Sequence, residues 1–149
     1  MKKHIVLQVF SLIVKASFVL LCSIPAYAEP HTYVGVDSCK MCHENQYKVW
    51  ASSAHAKAYN SLNETGKKNI KCLSCHTTNG TAKFPDVQCE ACHGPGSDYS
   101  DMDTMKNFKK VWDAGLNRHA SATCLNCHNE KCQRFQGFDF KVYWMEIMH

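Results

Sequence analysis

The chain has 149 residues, with 17 Lys and Arg against 13 Asp and Glu, a formal net charge of +4, and 10 cysteines. A chain of this length forms at most one modest domain. Much of the charge excess lies near the N-terminus, at Lys2, Lys3 and Lys15, and the rest of the chain is nearly neutral. This balance argues against a nucleic-acid-binding protein, which needs a strongly basic surface.

Residues 1–28 have the pattern of a secretory signal peptide. Lys2 and Lys3 precede an apolar run, and the segment ends in the cleavage pattern Ala26-Tyr27-Ala28. The alternative is an uncleaved membrane anchor, but Lys15 interrupts a stretch that is already short for a span. We therefore predict a periplasmic or secreted protein, with a signal peptide at residues 1–28, one domain at residues 29–149, and no integral membrane span after cleavage.

Four CxxCH motifs organise the predicted domain, and we number them in chain order as the first to fourth sites. Cysteines three apart lie on one face of a helical turn, where both can form thioethers to a porphyrin edge. The next residue, a histidine, then reaches the iron as the proximal ligand. Structural zinc or a redox dithiol also uses CxxC, but neither explains a histidine after the second cysteine four times. The motifs are Cys39, Cys42 and His43; Cys72, Cys75 and His76; Cys89, Cys92 and His93; and Cys124, Cys127 and His128.

The segments between the motifs are predicted to be short helices and loops. Apolar residues recur at three- and four-residue steps over Glu44–Leu62, which predicts a helix. Polar, glycine-containing stretches at residues 63–71 and 77–86 predict loops. Gly94-Pro95-Gly96 ends any helix that carries the third motif.

The C-terminal part predicts two further helices. One is capped by Ser100 or Asp101 and runs to about Leu116, and the other begins at about Asp139. So few residues per motif cannot bury a conventional apolar core. We therefore predict a mainly α, loop-rich multihaem cytochrome in which four covalent haem c groups, each with its iron, form the core.

In the predicted domain, residues 29–149, four histidines remain as candidate distal ligands, one for each predicted iron. They are His31, His55, His119 and His149. Methionine is the rival distal ligand, but the methionines near the C-terminus and after the third site lie on apolar stripes, where core packing is the usual role. Cys132 has no haem partner, and it is either a buried free thiol or the site of an intermolecular disulfide.

The sequence resembles the small tetrahaem cytochromes related to cytochrome c-554. The matching elements are Tyr33-Val34-Gly35 before the first motif, Trp50 with Ser53-Ala54-His55-Ala56, Val87–Gly96, and the closing stretch Phe138–His149. They extend through nearly all of the predicted domain. The resemblance implies a periplasmic electron carrier with closely stacked haems and mostly bis-histidine ligation.

The resemblance also implies particular axial ligands. It makes His149 the distal ligand at the fourth site and His55 the distal ligand at another site, most readily the third. The family often has a histidine shortly after Gly-Pro-Gly that serves the first haem, and this chain has residues 97–100, Ser-Asp-Tyr-Ser, instead. His31 or His119 is then the expected replacement. An open, five-coordinate iron is expected at the second site.

The function predicted from these features is electron transfer by a protein that is not an enzyme. Bis-histidine ligation holds the iron with little rearrangement on reduction and needs no general acid, base or nucleophile. The predicted partners are a redox protein donor and a redox protein acceptor, with no nucleic acid, and homo-oligomers are possible. The alternatives are a subunit of a haem-wire filament and a reductase of a small nitrogen compound at one five-coordinate haem.

Overall fold

The computed structural model describes residues 31–117, 121–132 and 134–149. The predicted signal peptide and its boundary at residue 28, together with the candidate ligand His119, lie outside these residues. Within them no helix is long and apolar enough to cross a membrane.

Short helices joined by turns and loops make up the described residues. The α-helices are α1 (Val36–Lys40), α2 (Glu44–Ser52), α3 (Ile70–His76), α4 (Cys89–His93), α5 (Met102–Met105), α6 (Phe108–Asp113), α7 (Ser121–Leu125) and α8 (Phe140–Ile147), and 3₁₀ turns lie at His55–Lys57, Tyr59–Ser61, Gly66–Lys68 and Gly96–Asp98. In this part of the chain the β-structure consists of isolated bridges from Thr77 to Pro85 and Asp86. The predicted mainly α, loop-rich fold class is confirmed.

The apolar core of the described residues is very small, as the number of residues per motif predicts. Among them only Tyr99 and Val111 are buried hydrophobic side chains, each 5% exposed. Large apolar side chains elsewhere, including Met102, Met145 and Met148, are exposed rather than packed into a core. Side-chain packing alone therefore gives this domain little of the apolar burial that stabilises folded chains.

The single helix predicted over Glu44–Leu62 is wrong beyond Ser52. The chain is extended at Ser53, and 3₁₀ turns follow. The hydroxyls of Ser52 and Ser53 donate to the carbonyls of Val49 and Trp50, at 2.8 and 2.7 Å. Such local bonds compete with the helical ladder.

Contacts with the segment before the third motif also hold the 3₁₀ turns in place. The Val87 N–H donates to the His55 carbonyl at 3.1 Å, and the Tyr59 N–H donates to Asp86 Oδ1 at 2.8 Å. The indole of Trp50 donates to the Val87 carbonyl at 2.7 Å. Tertiary hydrogen bonds that the periodicity does not reveal therefore position His55.

The helix predicted up to Leu116 is two helices, α5 and α6. Asp101 caps α5 by accepting from the N–H groups of Asp103 and Thr104, at 3.0 and 2.9 Å. Asn107 is extended and caps α6 by accepting from the Lys110 N–H at 3.1 Å. The helix is interrupted at this residue because an asparagine side chain readily accepts a hydrogen bond from a backbone N–H at the start of a new helix.

The last helix begins after Asp139, as predicted. Asp139 Oδ1 accepts from the N–H groups of Lys141 and Val142, at 2.9 and 3.4 Å. This cap fixes the start of α8, and the chain continues from the helix to His149.

Replacing Asp139 by alanine should lower the free energy of unfolding by about 1 kcal/mol, because it removes an N-cap. Denaturant unfolding of the mature protein measures the change. The control is Glu146→Ala, which removes an exposed carboxylate from the last turn of α8, where a negative charge does not help the helix. Equal stability of the two variants would contradict the capping role.

Candidate haem-binding sites

Each CxxCH motif lies on a helical turn. The third motif occupies α4, and the second occupies the C-terminal part of α3. At the first and fourth sites the turn runs past the helix end, with the His43 N–H donating to the Cys39 carbonyl and the His128 N–H to the Cys124 carbonyl, each at 2.9 Å. All eight motif cysteines are free thiols. Both thiols of each motif are thus available to one porphyrin edge, as predicted.

Two pairs of histidine rings face each other at nearly equal spacing. The centroids of His55 and His128 are 6.1 Å apart, with an interplanar angle of 54°. The centroids of His93 and His149 are 6.2 Å apart, with an angle of 55°. Each pair joins one proximal candidate to one distal candidate.

This spacing fits a metal held between two imidazoles. A metal–imidazole bond is about 2 Å long, and the ring centre lies about 1 Å beyond the nitrogen, so two axial rings have centroids about 6 Å apart. The rings can rotate about their shared axis, which allows interplanar angles such as those observed. The residues of the third and fourth sites therefore fit a six-coordinate haem iron.

The ring spacing favours a different pairing from the one that the resemblance implied, although His55 also lines the cleft at the third site. His55 lies beside the proximal histidine of the fourth site rather than the third, and His149 lies beside that of the third rather than the fourth. The reason is the path of the chain. The turn His55–Lys57 lies next to the fourth motif, whereas α8 brings His149 back to α4.

Burial favours the neutral form of the imidazoles at the fourth site. The pKa of His55 is lowered by burial and, to a smaller extent, by the neighbouring His128. Burial also lowers the pKa of His128. Neutral imidazole is the form that coordinates a metal.

Hydrogen bonds to backbone carbonyls orient three further rings. Nδ1 of His76 lies 2.7 Å from the Ala58 carbonyl, Nδ1 of His93 lies 3.2 Å from the Asn117 carbonyl, and Nδ1 of His149 lies 2.9 Å from the Ile147 carbonyl. A carbonyl only accepts, so Nδ1 carries the proton in each ring. Nε2 is then the metal-binding nitrogen, as is usual for metal-ligating histidines.

An open cleft of about 660 Å³ adjoins the third site. This volume includes space that is open to solvent. The side chains around it include both thiols of the third motif, both of its paired histidines, and two tryptophans. These are Cys89, Cys92, His93, His149, Trp50 and Trp144. One cleft thus presents every protein group that a c-type haem requires.

Thiols of different motifs lie next to one another. Cys39 of the first motif hydrogen-bonds with Cys89 of the third, which raises the pKa of Cys39. Cys75 of the second motif hydrogen-bonds with Cys127 of the fourth, where burial and this contact raise the pKa of Cys127 to about 12.

A third electrostatic interaction between thiols connects these two pairs. Burial, followed by the neighbouring Cys124 and Cys89, raises the pKa of Cys92 to about 11. The third motif is therefore adjacent to the fourth as well as to the first. The contacts order the sites as first, third, fourth and second.

The remaining distal candidates have no comparable ring pair. His31 contacts the carboxylate of Asp98, and its side chain is 70% exposed. Within the described residues, no second histidine ring pairs with His43 or His76 as His55 and His149 pair at the other two sites. The structure describes 31–117, 121–132 and 134–149, so the placement of His119 is not part of it.

The structure contradicts one of the two predictions made for Cys132. Cys132, for which one prediction was a buried thiol, is exposed in a turn after the fourth motif. Among the described residues no cluster of three or more His, Cys, Asp or Glu side chains surrounds one point. The site residues instead form pairs of histidines and pairs of cysteines.

Sequence reasoning missed two buried polar residues at the third motif. Glu90 lies between the two cysteines of this motif and is 2% exposed, and Gln88 precedes the motif and is 7% exposed. Both bind backbone N–H groups ahead of the first motif. Their only signal in the sequence is that polar residues stand at positions with no obvious role.

Paired imidazoles beside CxxCH turns define the class of protein, a multihaem c-type cytochrome. A sequence profile described as "Cytochrome c554 and c-prime" matches residues 38–94. Cytochrome c-554 of Nitrosomonas europaea is 29% identical over 114 residues, which cover 58% of this chain and 48% of that protein. The chain thus spans about half the length of this curated relative.

A solved structure shares the fold. The reduced state of cytochrome c554 from Nitrosomonas europaea has a TM-score of 0.52 and 24% sequence identity, over 79% of each chain. The profile match, the relative and the solved structure confirm the resemblance to cytochrome c554 that is seen in the sequence. Haem c is the cofactor that this family implies.

Proposed function

We propose that this protein is an exported electron carrier with four covalent haem c groups, most or all of them bis-histidine ligated. The observation that carries the proposal is the spacing of 6.1 and 6.2 Å in the two histidine ring pairs. Haem, when bound, supplies an iron that takes up and releases one electron. In this proposal the described residues hold the imidazole rings, provide the thiols and line the haem cleft. They do not act as a general acid, a general base or a nucleophile.

Each site is assigned its own residues. The covalent groups are the two cysteines of each CxxCH motif, and the proximal ligands are the four motif histidines. His149 is the distal ligand at the third site, and His55 is the distal ligand at the fourth. His31 and His119 are the candidates for the first and second sites.

Backbone carbonyls orient three of the proposed ligand rings. The carbonyls of Ala58, Asn117 and Ile147 fix the rings that donate to them and leave Nε2 available. Trp50 and Trp144 line the cleft at the third site. Rings that are held in place reduce the rearrangement that accompanies a change of charge, which suits rapid electron exchange.

The order of thiol contacts supports a continuous route through the protein. The thiols of the first and third, the third and fourth, and the fourth and second motifs affect one another's pKa. Electrons would then enter at one end and leave at the other, between a redox protein donor and a redox protein acceptor. The signal-peptide pattern supports a periplasmic or extracellular location, where c-type haem is attached.

The test is the haem count and spin state of the exported protein. We expect a mass increase of four haems, cleavage before residue 29, and low-spin signals by electron paramagnetic resonance of the oxidised form. Carbon monoxide should leave the reduced spectrum unchanged. A high-spin iron that binds carbon monoxide would favour the reductase, and a spectrum that depends on protein concentration would favour the filament subunit.

A further inference from the structure

Glu90 is a buried carboxylate whose hydrogen bonds lead away from its own helix. Its Oε1 accepts from the Val34 N–H at 2.9 Å and from the Gly96 N–H at 2.6 Å. Its Oε2 accepts from the Gly35 N–H at 2.8 Å. Two of these three donors lie more than fifty residues earlier in the chain, just before the first motif.

Gln88 extends this contact by one residue. Its Oε1 accepts from the Val36 N–H at 2.9 Å, and its Nε2 donates to the Pro85 carbonyl at 2.8 Å. Three successive N–H groups, at residues 34, 35 and 36, are therefore bound by two side chains from the third-motif segment. We call Glu90 and Gln88 the clamp.

The clamp acts on the start of α1. The first N–H groups of a helix have no partner within it, and Gly35, the N-cap of α1, has no side chain to supply one. A carboxylate at a helix N-terminus also interacts favourably with the helix dipole. The side chains that bind N–H groups at the start of the first-motif helix thus come from the third-motif segment, Gln88 and Glu90.

A glycine is required at position 96 for the clamp to form. A Cβ there would lie 2.8 Å from Cγ2 of Val34 and 2.9 Å from Oε1 of Glu90. The backbone of Gly96 therefore approaches the carboxylate more closely than any other residue would allow. An alanine at this position must displace the carboxylate while leaving its charge in the protein.

The consequence of the clamp appears at the cysteines. The first motif begins on α1 with Cys39, the third begins on α4 with Cys89, and these two helices are in contact. The clamp joins residues 34–36, at the start of α1, to residues 88 and 90, at the start of α4. The distance between the first two haem edges in the proposed route therefore depends on it.

From this geometry we infer that Glu90, with Gln88, is a positioning residue that holds the first haem site against the third and so sets the electronic contact between them. The inference rests on the proposed function. Glu90 does not coordinate iron, and it acts through the placement of α1. Its loss moves one site relative to another without removing a ligand.

The test is Glu90→Gln in the mature protein, read by circular dichroism in the Soret band. Glutamine has nearly the same size as glutamate, but its NH₂ group donates hydrogen bonds and cannot accept them. At least one of the backbone N–H groups therefore loses its acceptor. Coupled haems give paired bands of opposite sign. The double variant Cys39→Ser with Cys42→Ser cannot attach the first haem. The part of the Soret spectrum that this variant loses is the component due to the first and third sites.

We expect Glu90→Gln to carry all four haems and to lose this component. Gly96→Ala should lose the same component although it keeps the carboxylate. The matched controls should both retain it. Glu64→Gln removes an exposed carboxylate that pairs with Lys67 at 3.1 Å, and Gly66→Ala adds a Cβ at a glycine with milder contacts of 3.2 Å or more.

Three outcomes decide the inference. It is overturned if Glu90→Gln and Gly96→Ala carry four haems and keep the wild-type signal, or if both lose haem equally at all four motifs. Haem loss confined to the first or third motif, located by peptide mass spectrometry, supports it. A wild-type protein without haem would refute the proposed function itself, whereas unchanged variants of a four-haem protein would refute only the clamp.

Discussion

Replacing His149 by alanine is expected to turn the iron of the third site high-spin, and replacing His55 the iron of the fourth. The reason is the ring spacing, which pairs His149 with His93 and His55 with His128. Each variant loses one distal ligand, so one iron becomes five-coordinate and binds carbon monoxide when reduced. Electron paramagnetic resonance and optical spectra measure both effects, and added imidazole should restore the low-spin signal.

Double variants identify which iron each histidine serves. In a protein without the third haem, His149→Ala should add no high-spin signal, whereas His55→Ala should still add one. In a protein without the fourth haem, His55→Ala should add no high-spin signal, whereas His149→Ala should still add one. Lys57→Ala, at an exposed residue in the same turn as His55, is the control and should change neither spectrum. The reverse pattern would restore the pairing implied by the family resemblance.

Local signals in the sequence predicted much of the fold. The CxxCH spacing gave the helical turns, and Asp139 marked the start of α8, because a motif turn and an N-cap each depend on residues within one turn. The end of the helix at Ser52 was missed because apolar periodicity shows which face of a helix is apolar. It does not show hydroxyl groups that compete for the backbone carbonyls. Asp86, which holds the turn that follows, lies far along the chain from Tyr59.

Long-range geometry explains what the sequence could not provide at the site. Counting histidines predicted that His55 and His149 are candidate ligands, and the structure places each beside a motif histidine. Which motif each one faces depends on how separate segments return to one another, and no spacing rule contains that information. The burial of Glu90 also depends on long-range geometry, since the N–H groups that donate to it precede a different motif.

Removing the third haem is expected to interrupt electron exchange across the protein, whereas removing the second should only shorten the route. The effects of the motif thiols on one another's pKa indicate that the third site lies between the first and the fourth, with the second site at one end. The contact between α1 and α4, and the bond from Cys127 Sγ to the Ser74 carbonyl at 3.8 Å, agree with this order. Cys89→Ser with Cys92→Ser should therefore leave the first haem reducible only slowly by the others. Cys72→Ser with Cys75→Ser is the matched variant, which also lacks one haem.

Stopped-flow reduction at several wavelengths distinguishes the two variants. Both should carry three haems, but only the variant without the third should show a separate slow phase that accounts for one haem. Since each variant loses the same cofactor and the same number of cysteines, a general loss of stability would affect both alike. Fast, single-phase reduction of both would mean that the first site exchanges electrons by another path, and the order deduced from the thiol contacts would then be wrong.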